Sequence, residues 1–179
     1  QQGAAGLWQL MPGTASGYGL KQDWWYDGRR DIYASTQAAL DYLTYLGSFF
    51  DNNWFYAIAA YDAGEGTVQE AINHNANKGK STDFWVLSLP QETHAYVPRL
   101  LALAAIIANP KRFNIKLPAV NNHPYFAVVK VSSQIDLAHA AQLAHISLKK
   151  LYKLTPGFNR WATDPSGPNR LLLPVGKIA

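Results

Sequence analysis

The sequence predicts a mainly α-helical domain followed by a small α+β unit ordered strand, helix, helix, strand. Three observations carry this reading. Apolar residues recur at helical spacing from Asp31 to Ala108, no alternating strand-like run occurs before residue 120, and the composition changes sharply across Asn114 to Pro124.

The first stretch, GAAGLWQLMPGTA from Gly3 to Ala15, combines a small-residue turn, an aromatic, the chain's only methionine and a helix-starting Pro-Gly-Thr. Its lone amide, Gln9, has no place in a merely packed hairpin, so the stretch is expected to line a site. A long amphipathic helix follows, with Asp31 as its N-cap, Ile32, Ala39, Leu43, Leu46 and Phe50 on one face, and Gly47 near its end. A second helix begins near Asn53 with WFYAIAAYDAG. Gly64 and Gly66 are expected to break it, and TVQEAINHNA to resume before the polar loop NKGKST. ETHAYVPRLLALAAIIANP reads as a third, with Leu100, Leu103, Ala104 and Ile107 as its buried stripe, Pro98 in its first turns or at a kink, and Pro110 past its end.

The segment Asn114 to Pro124 holds two prolines and three asparagines and reads as a linker. Beyond it lie the alternating run YFAVVKV, a Ser133-Gln-Ile-Asp136 cap, the helical segments DLAHAAQLAH and ISLKKLYKL, a loop rich in Pro, Gly and Asn, and the apolar run RLLLPV. A unit of roughly fifty residues sits near the lower limit for independent stability. The expected domains are 1–118 and 119–179.

Composition excludes several function classes. The 179 residues are 48% hydrophobic, enough for a real core. The formal net charge of +4 comes from scattered Lys and Arg, which gives a solvated cationic surface and not a nucleic-acid stripe. The chain has no cysteine, and its five His lack metal-ligand spacing, so neither a disulfide nor a metal site is expected. The longest apolar run, Leu100 to Ala108, falls far short of a ~20-residue membrane span, so no direct membrane insertion is expected, and any export signal is expected upstream. Six Trp and ten Tyr supply ring faces for sugars or peptides as well as core.

Three constellations mix polar groups with aromatics at helix ends or loops: GLWQLMP (Gly6 to Pro12), AYDAGEG (Ala60 to Gly66) and LPQETHAYV (Leu89 to Val97). Together they suggest one shared groove. With YDGRRD and the following STQAAL, in this order, they resemble the lytic transglycosylases, which share a lysozyme-like fold with goose-type lysozymes. The resemblance covers residues 3 to 118. The second region, through FAVVKV, IDLAHAAQLAHISLKKLYKL and LLLPVG, resembles a divergent LysM-type module of βααβ order, with SSQIDL where that module has a GDTL turn.

The resemblance implies non-hydrolytic cleavage of the β-1,4 bond between N-acetylmuramic acid and N-acetylglucosamine in peptidoglycan, giving a 1,6-anhydro-muramyl end. One glutamate would first give and then take the proton, with no metal or nucleotide cofactor. The muramyl acetamido group would replace a second carboxylate, and the bound ring would present its own C6 hydroxyl in place of water. In the family that glutamate precedes the GLWQLMP loop, yet this chain has no Glu ahead of Glu65. No catalytic residue is therefore assigned within it, and the acid is expected upstream of Gln1.

By the same resemblance, Gln9 hydrogen-bonds substrate beside the acid, Met11 is an apolar contact under a sugar, and Tyr61 touches sugar at the cleavage point. Glu92 holds substrate or tunes the acid, and Tyr96, four residues later on one helical face, reaches toward the acetamido group. Asp62 stands where the family has Asn, and an ionised carboxylate accepts hydrogen bonds but donates none; capping of the following turn is its plainer role. A capping or core amide is the plainer role for Gln9, core filling for Met11. Glu65 reads as a solvated loop charge, Glu70 as a surface residue, and Asp27, Arg29, Arg30 and Asp31 as ion pairs that fix a helix start.

The implied partner is the glycan strand and the implied location the bacterial periplasm, on an outer-membrane lipoprotein parent; a monomer is expected. Two other readings stand beside this one. They are a peptidoglycan-binding module without chemistry, and a goose-type lysozyme that uses water.

Overall fold

The structure, a computed structural model, describes residues 3–177. Met11 is extended (φ −69°, ψ 151°), and Pro12 takes the first position of α1 (Pro12–Gly17), where its missing N–H leaves no bond unmade. In α2 (Ile32–Phe49) the N-terminal donors are met by Asp31, whose Oδ1 accepts from the Ala34 N–H at 2.8 Å. Asn53 does the same for α3 (Trp54–Ala63), accepting from Phe55 and Tyr56. Gly64 ends α3 at φ +86°. Gly66 does not break the chain as expected: α4 (Glu65–Asn77) begins before it, because only Gly64 takes the left-handed backbone that stops a helix.

The helix α5 (Gln91–Ala108) continues through Pro98. Its predicted buried stripe is corrected. Leu103 and Ile107 are 59% and 65% exposed and Ala104 is exposed, whereas the buried positions are Thr93 and Val97 in the first half. Periodicity shows which face is apolar, but burial needs a neighbour, and α3 supplies one only where the two helices meet.

By contacts the chain divides into two compact units, one of residues up to Asp41 with those from Asn122 on, the other Tyr42–Asn121. In the first, β1 (Phe126–Lys130) pairs antiparallel with β2 (Arg170–Pro174), with Val128 opposite Leu172. Between them run α6 (Leu137–Leu143), capped by Asp136, and α7 (Leu148–Leu154), capped by Ser147. The order is the predicted strand, helix, helix, strand, and seven α-helices with one small sheet make the described residues mainly helical.

The core of this unit is Leu137, Ala140, Ala141, Leu151, Leu171 and Leu173, closed by Tyr26 and Phe158. Tyr26 comes from the segment before α2. A βααβ unit this small buries little by itself, and an aromatic from outside it extends the core. The backbone locks that segment in place: Asp27 N–H donates to the Gly157 carbonyl and Asn159 N–H to the Trp25 carbonyl, both at 2.8 Å. Lys21 Nζ donates to the buried Asp164 carboxylate and to Ser166 Oγ. Burial pushes the Asp164 carboxyl up, but the Lys21 ammonium and the Ser166 donors outweigh it and hold the group below the usual carboxylate range.

The second unit packs α3 against α4 and α5 around Leu46, Ala57, Ala60, Val68, Phe84, Leu87 and Val97. The polar loop after α4 is pinned by Asn75, which donates to the Ser81 carbonyl at 2.8 Å, and by the Tyr56 hydroxyl, which donates to the Thr82 carbonyl at 2.5 Å. Among the described residues no helix is long and apolar enough to cross a membrane.

Candidate functional site

In the second unit, the end of α3 and the start of α5 bring Tyr61, Asp62 and Tyr96 together. Asp62 Oδ2 accepts from the Thr93 hydroxyl at 2.6 Å, which joins the last turn of α3 to the first of α5. Asp62 therefore uses the acceptor capacity that Asp and Asn share, and its bond runs to another helix and not to the following turn. Burial pushes the Tyr61 hydroxyl up to about 12, with Tyr96 adding to the shift. Tyr96 is also raised, first by burial and then by the Asp62 carboxylate. Both phenols therefore stay protonated at neutral pH. Glu92 is exposed in the first turn of α5, one turn before Tyr96.

Sequence reasoning missed Thr93 and Tyr42. Thr93 is fully buried and anchors Asp62; its signal was a polar residue three positions before Tyr96, on the same face of α5. The Tyr42 ring lies 5.4 Å from that of Tyr61 and its hydroxyl donates to Glu65 Oε2 at 3.1 Å. Glu65 is therefore not a solvated loop charge: it is half-buried, opens α4 and has a partner.

Gln9 and Met11 belong to the other compact unit and are described within it. Gln9 has φ +49°; its amide nitrogen donates to the Gly6 carbonyl at 2.7 Å, and its backbone N–H to the same oxygen at 3.4 Å. Met11 is exposed, immediately before α1. Their loop rests on the segment after Tyr26. Arg29 grips Asp27 with Nε at 2.9 Å and Nη2 at 2.8 Å, and its Nη1 donates to the Gly3 carbonyl. The ion pairs expected here to be structural are so, and they hold the Gly3 to Ala15 turn from beneath. Trp8 Nε1 donates to Thr36 Oγ1 at 2.8 Å, which ties the loop to α2.

Two substitutions test the Asp62 arrangement. Thr93→Val removes its donor and is expected to cost about 1–2 kcal/mol in thermal or urea unfolding. Asp62→Asn keeps an acceptor for Thr93 and removes the charge that opposes ionisation of Tyr96. Tyr96 should then titrate at lower pH in NMR of ring-labelled tyrosine, and an unmoved Tyr96 would contradict the assignment.

Residues 1–84 match the Transglycosylase SLT domain family, and residues 125–179 match the family described as Lytic transglycosylase MltD, LysM-like domain. The chain belongs to the lytic transglycosylase family. It is 46% identical over 171 residues to Membrane-bound lytic murein transglycosylase D of Escherichia coli (strain K12), covering 96% of this chain and 38% of that protein. It is 36% identical over 147 residues to an Alteromonas sp. (strain M-1) protein named for tributyltin chloride resistance, covering 82% of this chain and 69% of that one. Soluble lytic murein transglycosylase of Salmonella typhimurium (strain LT2) is 36% identical over 109 residues, 58% of this chain and 17% of that protein. The chain thus spans well under half the length of both named transglycosylases.

Proposed function

We propose that this chain is the substrate-binding part of a peptidoglycan lytic transglycosylase. It acts on the β-1,4 bond between N-acetylmuramic acid and N-acetylglucosamine and leaves a 1,6-anhydro-muramyl end. The observation that carries this reading is the pair of half-buried, protonated tyrosines, Tyr61 and Tyr96, beside a carboxylate fixed by Thr93. Two phenolic donors at helix ends suit a neutral, acetamido-bearing sugar, whose oxygens are acceptors.

In this reading Tyr61 donates to the sugar at the scissile bond and Tyr96 to the acetamido oxygen, which orients that group for attack on the anomeric carbon. Asp62 positions Tyr96 through its charge and links α3 to α5 through Thr93. Gln9, its amide nitrogen engaged with Gly6, offers its amide oxygen to a sugar hydroxyl, and Met11 gives an apolar contact to a ring face. Glu92 binds substrate or tunes the acid from the first turn of α5. In this reading the proton comes from a glutamate ahead of the GLWQLMP loop, as the resemblance to the family implies. Residues 1–118 form the transglycosylase domain and 119–179 the LysM-like module, on a monomer in the bacterial periplasm whose parent is held at the outer membrane as a lipoprotein. Its partner is the glycan strand.

The test is to incubate purified sacculi with this chain and with an N-terminally extended form, then analyse the soluble products by mass spectrometry. Anhydro-muropeptides from the extended form alone are the expected result. Their absence from both, with binding retained, would leave a wall-binding module and overturn the enzymatic reading.

A further inference from the structure

The unit that contains the βααβ segment carries an aromatic patch that the tyrosine site does not use. Trp24 and Trp161 are 54% and 59% exposed, although large apolar side chains that share a surface normally cover one another or are covered. Their ring centroids lie 6.2 Å apart with planes at 88°, and both meet Trp25, which packs into the core, edge-on. The Arg160 guanidinium carbon sits 3.9 Å from the centroid of Trp24.

The patch is rigid. Asp23 Oδ1 accepts from the N–H groups of Trp25 and Tyr26, both at 2.8 Å, while Asn159 N–H donates to the Trp25 carbonyl. Leu137 N–H donates to the Trp161 carbonyl at 2.7 Å. The indoles are thus presented by hydrogen-bonded backbone, which lowers the ordering cost of binding.

The charge at the patch is also uncommitted. Among the described residues Arg160 forms no ion pair; its one hydrogen bond is a long one to the adjacent Asn159 carbonyl, 3.5 Å, and its Nε is buried without a partner. Asp23, the acid of the same turn, is engaged by two backbone donors and by Lys21 at 3.0 Å. An exposed indole suits the C–H face of a pyranose, and a guanidinium stacked beside it suits a carboxylate.

We propose that Trp161, Trp24 and Arg160 form a second binding surface, for a peptidoglycan strand that stacks a sugar ring on Trp161 and places a stem-peptide carboxylate on Arg160. This rests on the peptidoglycan reading above and adds a carboxylate-dependent contact made by residues of both the segment before α2 and the loop before β2. A neutral glycan alone would leave Arg160 without a counter-charge.

The test is co-sedimentation of the full chain with native sacculi and with sacculi whose carboxylates have been converted to amides. Trp161→Ala should weaken binding to both about tenfold. Arg160→Gln should weaken binding to native sacculi several-fold and match the unsubstituted chain on amidated ones. Melting temperatures should stay unchanged, because both side chains lie outside the core. If both variants bind native sacculi as tightly as the unsubstituted chain, the surface is not used and the proposal fails. If the unsubstituted chain does not bind sacculi at all, the peptidoglycan reading fails with it, which separates the two outcomes.

Discussion

Gly6→Ala is expected to destabilise the chain by about 3–5 kcal/mol and to abolish whatever the Gly3 to Ala15 loop contributes to activity. Gly6 has φ +78°, and a Cβ built there would lie 1.7 Å from the Arg29 carbonyl oxygen and 2.6 Å from its carbon. The obstacle is backbone, which no rotamer change relieves. Arg29 is itself clamped on Asp27, so the segment beneath cannot withdraw without losing that bidentate pair. The loop must lift instead, and Gln9 moves with it, because its backbone N–H and its side-chain amide both bond the Gly6 carbonyl. A melting temperature within a degree or two of the parent would show that the loop is not seated as described. Gly13→Ala is the matching control, since a Cβ there meets nothing within 4 Å.

Arg170→Leu carries the second large effect. Asp31 is buried and receives three donors: the Tyr26 hydroxyl at 2.6 Å, Arg170 Nη2 at 2.8 Å and the Ala34 N–H at 2.8 Å. Removing the guanidinium leaves a buried carboxylate without its counter-charge at the start of α2, for a loss of about 2–3 kcal/mol. That is toward the low end for buried pairs, because Arg170 is partly exposed and its buried Nε has no partner. Asp31→Asn combined with Arg170→Leu should cost less than the sum of the two single substitutions, as a double-mutant cycle in urea would show. Strict additivity would mean that the pair is not coupled. Tyr26 belongs to the same network: burial and then the Asp31 carboxylate raise its hydroxyl well above the ordinary tyrosine value, so it remains a donor.

The two substitutions bear on one feature of the architecture. Arg170 lies on β2 and Asp31 caps α2, so the C-terminal strand pair helps to hold the helix that follows the Gly3 to Ala15 loop. Residues that match an SLT domain and residues that match a LysM-like domain meet in one core, through Tyr26 against Phe158.

Much of this was legible in the sequence, and for local reasons. Caps announce themselves by residue type, so Asp31 is legible as the cap of α2, while in the Ser133-Gln-Ile-Asp136 stretch it is Asp136 itself, and not Ser133, that caps α6; the alternation of YFAVVKV and the apolar run RLLLPV mark the two strands. The order of GLWQLMP, AYDAGEG and LPQETHAYV was enough to name the family. Elsewhere local signals did not reach far enough. The stripe of α5 was read as buried because apolar spacing does not say whether a neighbour exists, and Gly66 was read as a breaker because glycine permits a break without requiring one.

The sequence by itself determined the helical class, the βααβ order and the family, since each of these rests on contacts within a turn or two of chain or on a linear motif. Only the tertiary structure decided that Thr93 holds Asp62, that Tyr26 completes a core built more than a hundred residues away, and that Trp24 and Trp161 share an exposed face. Those facts depend on which distant segments meet, and meeting is settled by the summed burial and hydrogen bonding of the whole fold, which no short window of sequence contains.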